Sequence, residues 1–470
     1  MKVDFSKLER AFNPQCVAVV GDKKETNYMW LNGQSTFKGK LYSVQIDPKE
    51  IEGIKALGVE NFSSLVEIPE PVDLVIVAVP RAVAPIVLED CIKKDAAAAH
   101  FFTSGFGETD TEEGITLAKK LTERAEETNF HIIGPNCMGV YNPAVGVRQI
   151  PRQIVDFKGS IGFIAQSGTH AITFSEEAYL YGLKVNKSVS FGNGVVLEST
   201  DYLEFFGQDE SIEAIGMYLE GVKDRDRFLK VLKEVASRKP VVIWKGGRTR
   251  DGGRAISSHT GSMAVPMAIW DAAVRQCGAV GVTSLEELVD TLNAIMTLPR
   301  VASDRVGVTG GSGGQSVAIA DIFSEAGLTV PTLTDASYEE LASFFLLVGG
   351  GYRNPIDAGV NRGQMERILE ILDLDGNVDN LVFMATVSNT MGASAQRKQD
   401  IELLISLKNG TKKPLAAVLG FFSPDAHKET REFTDKLKEG GIPTFANLQR
   451  GAKALKNTLD YYRLRDALGN

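Results

Sequence analysis

Cysteine is scarce in this sequence, four in 470 residues, and histidine nearly so, at five. Cys16, Cys91, Cys137 and Cys277 lie far apart without a C-x-x-C pair, which excludes a zinc-site spacing and a disulfide framework; they read as reduced thiols. Positive charge is not in excess. A net charge of -9 and a pI near 5.4 argue against a general nucleic-acid binder, which carries a basic face. No stretch approaches the ~20 apolar residues that span a bilayer, and the N-terminus lacks an apolar signal region, so a soluble cytoplasmic protein without membrane attachment is expected. The first apolar run is not followed by G-x-G-x-x-G, which speaks against a dinucleotide-dependent dehydrogenase.

What is present is apolar residue and glycine, 43% hydrophobic content and 46 glycines. At ~150 residues per domain the length suggests about three domains. Three times a short β-branched run meets a turn of small or polar residues and then a helix-like segment: Val17–Gly21, Ile161–Gly168 and Arg305–Gly314. Such runs read as parallel strands buried on both faces. Further runs at Asp73–Pro80, His100–Gly105, Leu381–Ala385 and Pro414–Gly420 alternate with helical patterns such as Glu113–Asn129, predicting an α/β protein of three doubly wound domains. The expected divisions are 1–155, 156–302 and 303–470.

His259 stands out chemically. It lies in Arg254–Ala264, a small-residue stretch with Ser257, Ser258, Thr260 and Gly261 beside it, just after the strand-like Val241–Lys245. Loops at the carboxyl end of such a strand carry chemistry, and a flexible backbone suits a nucleophile that must travel. Lys245, Arg248, Arg250 and Arg254, interleaved with glycine, suit an approaching anion; the plainer reading is a solvated charged loop. Ser167 and Gly168 follow a buried strand and start a helix, which makes them an N-cap and an anion site at once. Glu220 ends another strand, where a carboxylate orients an imidazole if one is near, or simply caps.

Two other patterns leave alternatives open. Gly310-Gly311-Ser312-Gly313-Gly314 satisfies G-x-S-x-G, so a serine hydrolase using Ser312 competes with an ordinary Gly-rich turn. The same segment lacks the ending of a Walker A loop and is no ATP site of its own.

Taken together and in order, Gly134–Gly139, Ile164–Gly168, Ser190–Gly194, Tyr218–Gly221 and Ser258–Ser262 resemble the alpha subunit of ADP-forming acyl-CoA synthetases, in the succinyl-CoA synthetase superfamily. The resemblance covers the whole chain. It implies a Rossmann-like CoA-binding domain followed by two flavodoxin-like ligase domains. It also implies a relay in which acid, CoA and ATP exchange with acyl-CoA, ADP and phosphate through an acyl phosphate and a phosphorylated His259 oriented by Glu220. Ser167, Gly168, Ser258 and Gly261 are then phosphate-binding, Gly192 and Asn193 adjoin the acyl site, and Lys24, Lys49, Pro80, Ser104, Gly105 and Asn136 contact CoA. The first turn, Gly21–Tyr28, departs from the family's small Gly-rich form. ATP or ADP and Mg²⁺ are expected through an ATP-grasp beta subunit, in an alpha2beta2 assembly. The substrate is a small carboxylic acid or its CoA thioester, acetate by default, with aryl, branched and dicarboxylic acids open. Nucleotide preference and physiological direction stay open too. A catalytically silent CoA-binding regulator of the same fold is the alternative.

Overall fold

In the computed structural model the described residues are 2–260, 266–311, 315–348, 350–387, 393–422 and 426–469, without the side chains of 257–260 and 420–422. They form two compact units, Met1–Leu285 and Glu286–Asn470.

In the first unit the leading apolar runs become β1 (Cys16–Val20), β2 (Lys40–Val44), β3 (Glu60–Phe62), β4 (Leu74–Val77), β5 (Ala98–Phe101) and β6 (Ile132–Ile133). All pair in parallel, in the order β3-β2-β1-β4-β5-β6. Every residue of β1 and β4 is buried, because helices cover both faces. The order reverses between β1 and β4, and an open α/β sheet takes its ligand outside the carboxyl ends at such a reversal.

A second sheet follows from β7 (Gly139–Tyr141), β8 (Ile161–Ala165), β9 (Val185–Ser190), β10 (Ala214–Leu219), β11 (Val241–Lys245) and β12 (Val280–Val282). Its order is β12-β11-β10-β8-β9-β7, parallel except for β7, which runs antiparallel to β9. Leaving β7 aside, this is the flavodoxin-like winding, with its reversal between β8 and β10. Strand β7 precedes residue 155 in the chain, yet it closes the edge of the second sheet.

The second unit holds β13 (Val306–Thr309), β14 (Asn380–Val387), β15 (Leu415–Phe422) and β16 (Thr444–Phe445), parallel and in that order. Parallel bridges Arg305 to Thr329 and Thr309 to Ile356 lie outside the named strands. This unit starts at Glu286, ahead of the division at 302/303, and the helix Leu285–Thr297 supplies the reason. Arg450, on the helix Leu448–Leu468, clamps the buried Asp290 at 2.5 and 2.9 Å, and Asn457 donates to Thr291 at 3.0 Å. Among the described residues no helix is long and apolar enough to cross a membrane.

Two buried histidines pin the first sheet in opposite tautomers. His100 Nε2 donates to the Cys137 carbonyl at 2.9 Å, with the Trp30 ring edge-on at 5.0 Å. His131 Nε2 instead accepts from the Asp4 amide at 3.0 Å. Burial lowers both, each to about 4. Below the ordinary 6.5 the unfolded chain binds protons that the folded chain refuses, so stability falls as pH drops. The melting temperature is expected to decline steadily from pH 6.5 towards 4, and His100→Gln to flatten that slope; a slope equal to the parent's in calorimetry removes His100 as a cause.

Candidate functional site

The reversal between β8 and β10 brings together residues that lie far apart in the sequence. Ser167 follows β8 and caps the helix Gly168–Leu180, its Oγ accepting from the His170 amide at 3.4 Å. The amides of that first turn and the helix dipole therefore face the carboxyl edge. Glu220 follows β10 on the neighbouring strand, nearly buried at 9% exposure. Gln166 ties the two turns: its amide donates to the Tyr218 carbonyl at 3.0 Å. Its side-chain oxygen accepts from the amides of Glu220 at 2.8 Å and Gly221 at 3.1 Å.

The Glu220 carboxylate is held from behind. The Tyr218 hydroxyl donates to Glu220 Oε1 at 3.2 Å, and the rings of His170, Tyr218 and Trp244 pack together with centroids 4.3 to 4.6 Å apart. Burial lowers His170 despite the opposing Glu220 charge, and raises the Tyr218 phenol. Both are neutral at physiological pH.

The stretch leading to His259 is not the open loop that its small residues suggest. Residues Arg250–Thr260 form a helix, so the backbone of His259 is helical. Thr249 starts it by accepting the Gly252 amide at 3.1 Å. Ile256 anchors it on Gly247, whose φ of +69° and lack of a side chain admit the isoleucine; a Cβ there would meet its Cδ1 at 2.3 Å. This tertiary contact acts against the ~1 kcal/mol that each helical glycine costs. The helix lies against the turn Gly107–Thr109. The side chains of Ser258 and His259, and Gly261 and Ser312 altogether, lie outside the described residues.

Of the four cations before His259, three are engaged within this region. Lys245, buried and lowered by that burial, donates to the Glu220 and Gly246 carbonyls at 2.7 Å each. Arg248 pairs with Asp271 at 3.1 Å, and Arg254 with Asp251. Arg250 is exposed.

A second cluster sits where the two sheets of this unit meet. Gly192 has φ +50°, and a Cβ on it would lie 2.2 Å from the Asn136 carbonyl oxygen, so only glycine lets the two turns approach. Asn136 Nδ2 donates to Asn193 Oδ1 at 3.4 Å, and Asn193 Nδ2 donates to Glu108 at 2.6 Å. Glu108 also accepts the amides of Gly105 and Phe106, at 2.6 and 3.1 Å. Gly105, Asn136, Gly192 and Asn193 thus form one connected group through Glu108, with Ser104 exposed next to Gly105 in the chain. Lys24, Lys49 and Pro80 lie apart from it, exposed near the carboxyl edge of the first sheet.

Residues 15–143 match a CoA binding domain, and residues 158–295 a succinyl-CoA ligase like flavodoxin domain. The alpha subunit of ADP-forming acetate–CoA ligase I of Pyrococcus furiosus is 34% identical, the alignment covering 95% of this chain and 96% of that one. The chain belongs to the ADP-forming acetate–CoA ligase family. The alpha subunit of acetate–CoA ligase II of the same organism is 32% identical, over 93% of this chain and 94% of that one. Acetate–CoA ligase I of Archaeoglobus fulgidus is also 32% identical, and the chain spans 63% of its length. Among solved structures, the dinucleotide-forming acetyl-coenzyme A synthetase 1 of Candidatus Korarchaeum cryptofilum, in complex with phosphate and ADP, superposes with TM-score 0.83 at 26% identity over 98% of both chains.

For a member of this ligase family, the first turn is unusual in a way the structure explains. The buried Asp22 carboxylate accepts the Lys23 amide at 3.0 Å and the Leu31 amide at 2.8 Å, so the turn is ordered by an anion of its own. Burial raises that carboxyl. The edge around it still fits CoA: exposed lysines for phosphates, and the small-residue turn Ser104–Gly105 for close approach. A cavity of about 630 Å³ opens beside Gln166, Asn193, Glu220 and Lys245. A larger one of about 920 Å³ lies in the second unit and touches none of these residues.

Sequence reasoning missed Gln166 as the tie, Glu108 as the hub and Tyr218 as the partner of Glu220. Only the placing of Gln166 and Tyr218 inside two of the recognised motifs hinted at them; nothing local marks Glu108. Because Gln166 satisfies two amides at once, Gln166→Ala is expected to destabilise the chain by about 1–3 kcal/mol and Gln166→Glu by less. Urea unfolding of both variants measures this, and equal midpoints for parent and Gln166→Ala remove the tie.

Proposed function

We propose that this chain is the CoA-binding, phosphohistidine-carrying subunit of a cytoplasmic ADP-forming acyl-CoA synthetase. What carries the reading is the pairing of a capped helix N-terminus, at Ser167 and Gly168, with the Glu220 carboxylate on the next strand, and the helix bearing His259 directly after the strand beyond that. An anion site and an imidazole-orienting carboxylate at one sheet edge suit phosphoryl transfer to a histidine.

In the direction of acid release, a phosphate oxygen attacks the thioester carbonyl, the C–S bond breaks, and CoA leaves as thiol with an acyl phosphate formed. A nitrogen of His259 then attacks phosphorus, breaking the P–O bond and freeing the carboxylate. ADP takes the phosphoryl group as the P–N bond breaks, giving ATP and the neutral imidazole. Ser167, Gly168, Ser258 and Gly261 hold the phosphoryl group in this scheme. Lys24, Lys49, Pro80, Ser104, Gly105 and Asn136 hold CoA, and Gly192 and Asn193 border the acyl group. Nucleotide and Mg²⁺ come with an ATP-grasp beta subunit in an alpha2beta2 assembly, a reading supported by the alpha-subunit names of the two Pyrococcus relatives.

Incubating the chain with an acyl-CoA and radiolabelled phosphate is expected to leave an acid-labile, base-stable label that is absent in His259→Ala and forms about a hundredfold more slowly in Glu220→Gln. Equal labelling of His259→Ala, or none of the parent with any thioester, overturns the proposal.

A further inference from the structure

A carboxylate accepts hydrogen bonds and never donates one, so whatever faces Glu108 must turn an N–H towards it. Glu108 Oε1 takes the Gly105 amide at 2.6 Å, and Oε2 takes the Phe106 amide at 3.1 Å and Asn193 Nδ2 at 2.6 Å. The last of these fixes a polarity. With its nitrogen turned to Glu108, Asn193 has its oxygen left for Asn136, and Asn136 meets that oxygen with its own nitrogen at 3.4 Å. What Asn136 then has left is its side-chain oxygen. No described residue donates to it, and Asn136 is half-buried with φ +58°, a left-handed backbone that asparagine tolerates. Asn136 therefore offers an acceptor, and a carboxylate two side chains away decides that it does not offer a donor.

The backbone around these three side chains is held by bonds of its own. The Gly105 carbonyl accepts from Arg81 Nη1 at 2.8 Å, and the Asn136 amide donates to the Thr103 carbonyl at 3.0 Å. The Asn193 and Val195 amides donate to the Pro135 and Gly134 carbonyls at 3.0 Å each. The side chains of Glu108 and Asn193 are thus left to set the direction of a carboxamide, and the turns do not hang on them alone.

We propose that Glu108 is a positioning residue: acting through Asn193, it sets Asn136 to present oxygen to CoA, which meets it with an N–H or S–H donor of its pantetheine arm. This rests on the CoA-binding part of the function proposed above and adds to it the residue that orients the contact. If Asn136 were free to turn over, its nitrogen would face the same donor and the bond would be lost. A hydrogen bond of ordinary strength corresponds to about tenfold in affinity.

Calorimetric titration of CoA into the full chain and into its Glu108→Ala, Asn193→Ala and doubly substituted variants tests this, the fold of each checked by its melting curve. Each single variant is expected to bind CoA about tenfold more weakly than the parent, and the double variant no more weakly than either, because both substitutions free the same carboxamide. Glu108→Gln, whose oxygen can take the Oε2 position and keep the Phe106 and Asn193 bonds, is expected to bind within about threefold of the parent. In labelling from radioactive phosphate, the thioester KM is expected to rise by the same factor as the CoA Kd. Desulpho-CoA separates the two donors: the same loss in Glu108→Ala assigns the amide of the pantetheine arm, and no loss assigns the thiol. Parent-like CoA binding by folded Glu108→Ala, losses that multiply in the double variant, or Glu108→Gln no better than Glu108→Ala overturns the positioning role and leaves the phosphohistidine intact. Where Glu108→Ala does not fold, Asn193→Ala decides in its place, and parent-like binding overturns the proposal. If no thioester labels the chain, the phosphohistidine reading fails while the CoA titrations still decide Glu108; a parent that binds no CoA overturns both.

Discussion

The carboxamide of Gln166 is the contact on which the site depends. It sits between two strands at the point where the sheet reverses its winding, and at such a point the turns diverge and leave a crevice. A crevice lined by two independent turns has no reason to hold the helix N-terminus of one in register with the carboxylate of the other. By accepting the amides of both Glu220 and Gly221 while its own amide bonds to Tyr218, Gln166 makes the turns one body. Tyr218 then fixes the carboxylate itself. Preorganised polar groups of this kind need no rearrangement when charge arrives, which is where electrostatic catalysis gains most.

The same economy appears on the CoA side. Glu108 gathers the amides of Gly105 and Phe106 and the Asn193 side chain, so one carboxylate orders the turn expected to face CoA and the turn expected to face the acyl group. It acts across the two sheets of the first unit, and the helix carrying His259 lies against its own short turn. Asp22 shows the converse arrangement. There the protein supplies its own buried carboxylate to the amides of Lys23 and Leu31.

Burial decides the charge states around these hubs. Lys245 and His170 are both lowered by desolvation, yet their surroundings differ: Lys245 gives its protons to two carbonyls, whereas His170 is packed among aromatic rings. The one lines the cavity, and the other packs against Tyr218 and Trp244.

Much of the architecture was legible in the residues themselves. Runs such as Val17–Val20, Ile161–Ile164 and Val306–Val308 are buried on both faces of parallel strands, and that burial demands continuous apolar sequence, so local composition determined them. Ser167 as a cap and the glycines that need positive φ were legible for the same reason: the requirement acts on the residue alone. The helix through His259 was not, because Gly252, Gly253, Ser257 and Ser258 favour a loop, whereas the Thr249 cap and the packing of Ile256 on Gly247 support the helix. Nor were the crossing of β7 into the second sheet and the placement of the Leu285–Thr297 helix, since both depend on partners far along the chain. The sequence by itself determined which residues are suited to chemistry. The tertiary structure alone decided which of them meet, because strand order, not chain order, brings Ser167 beside Glu220.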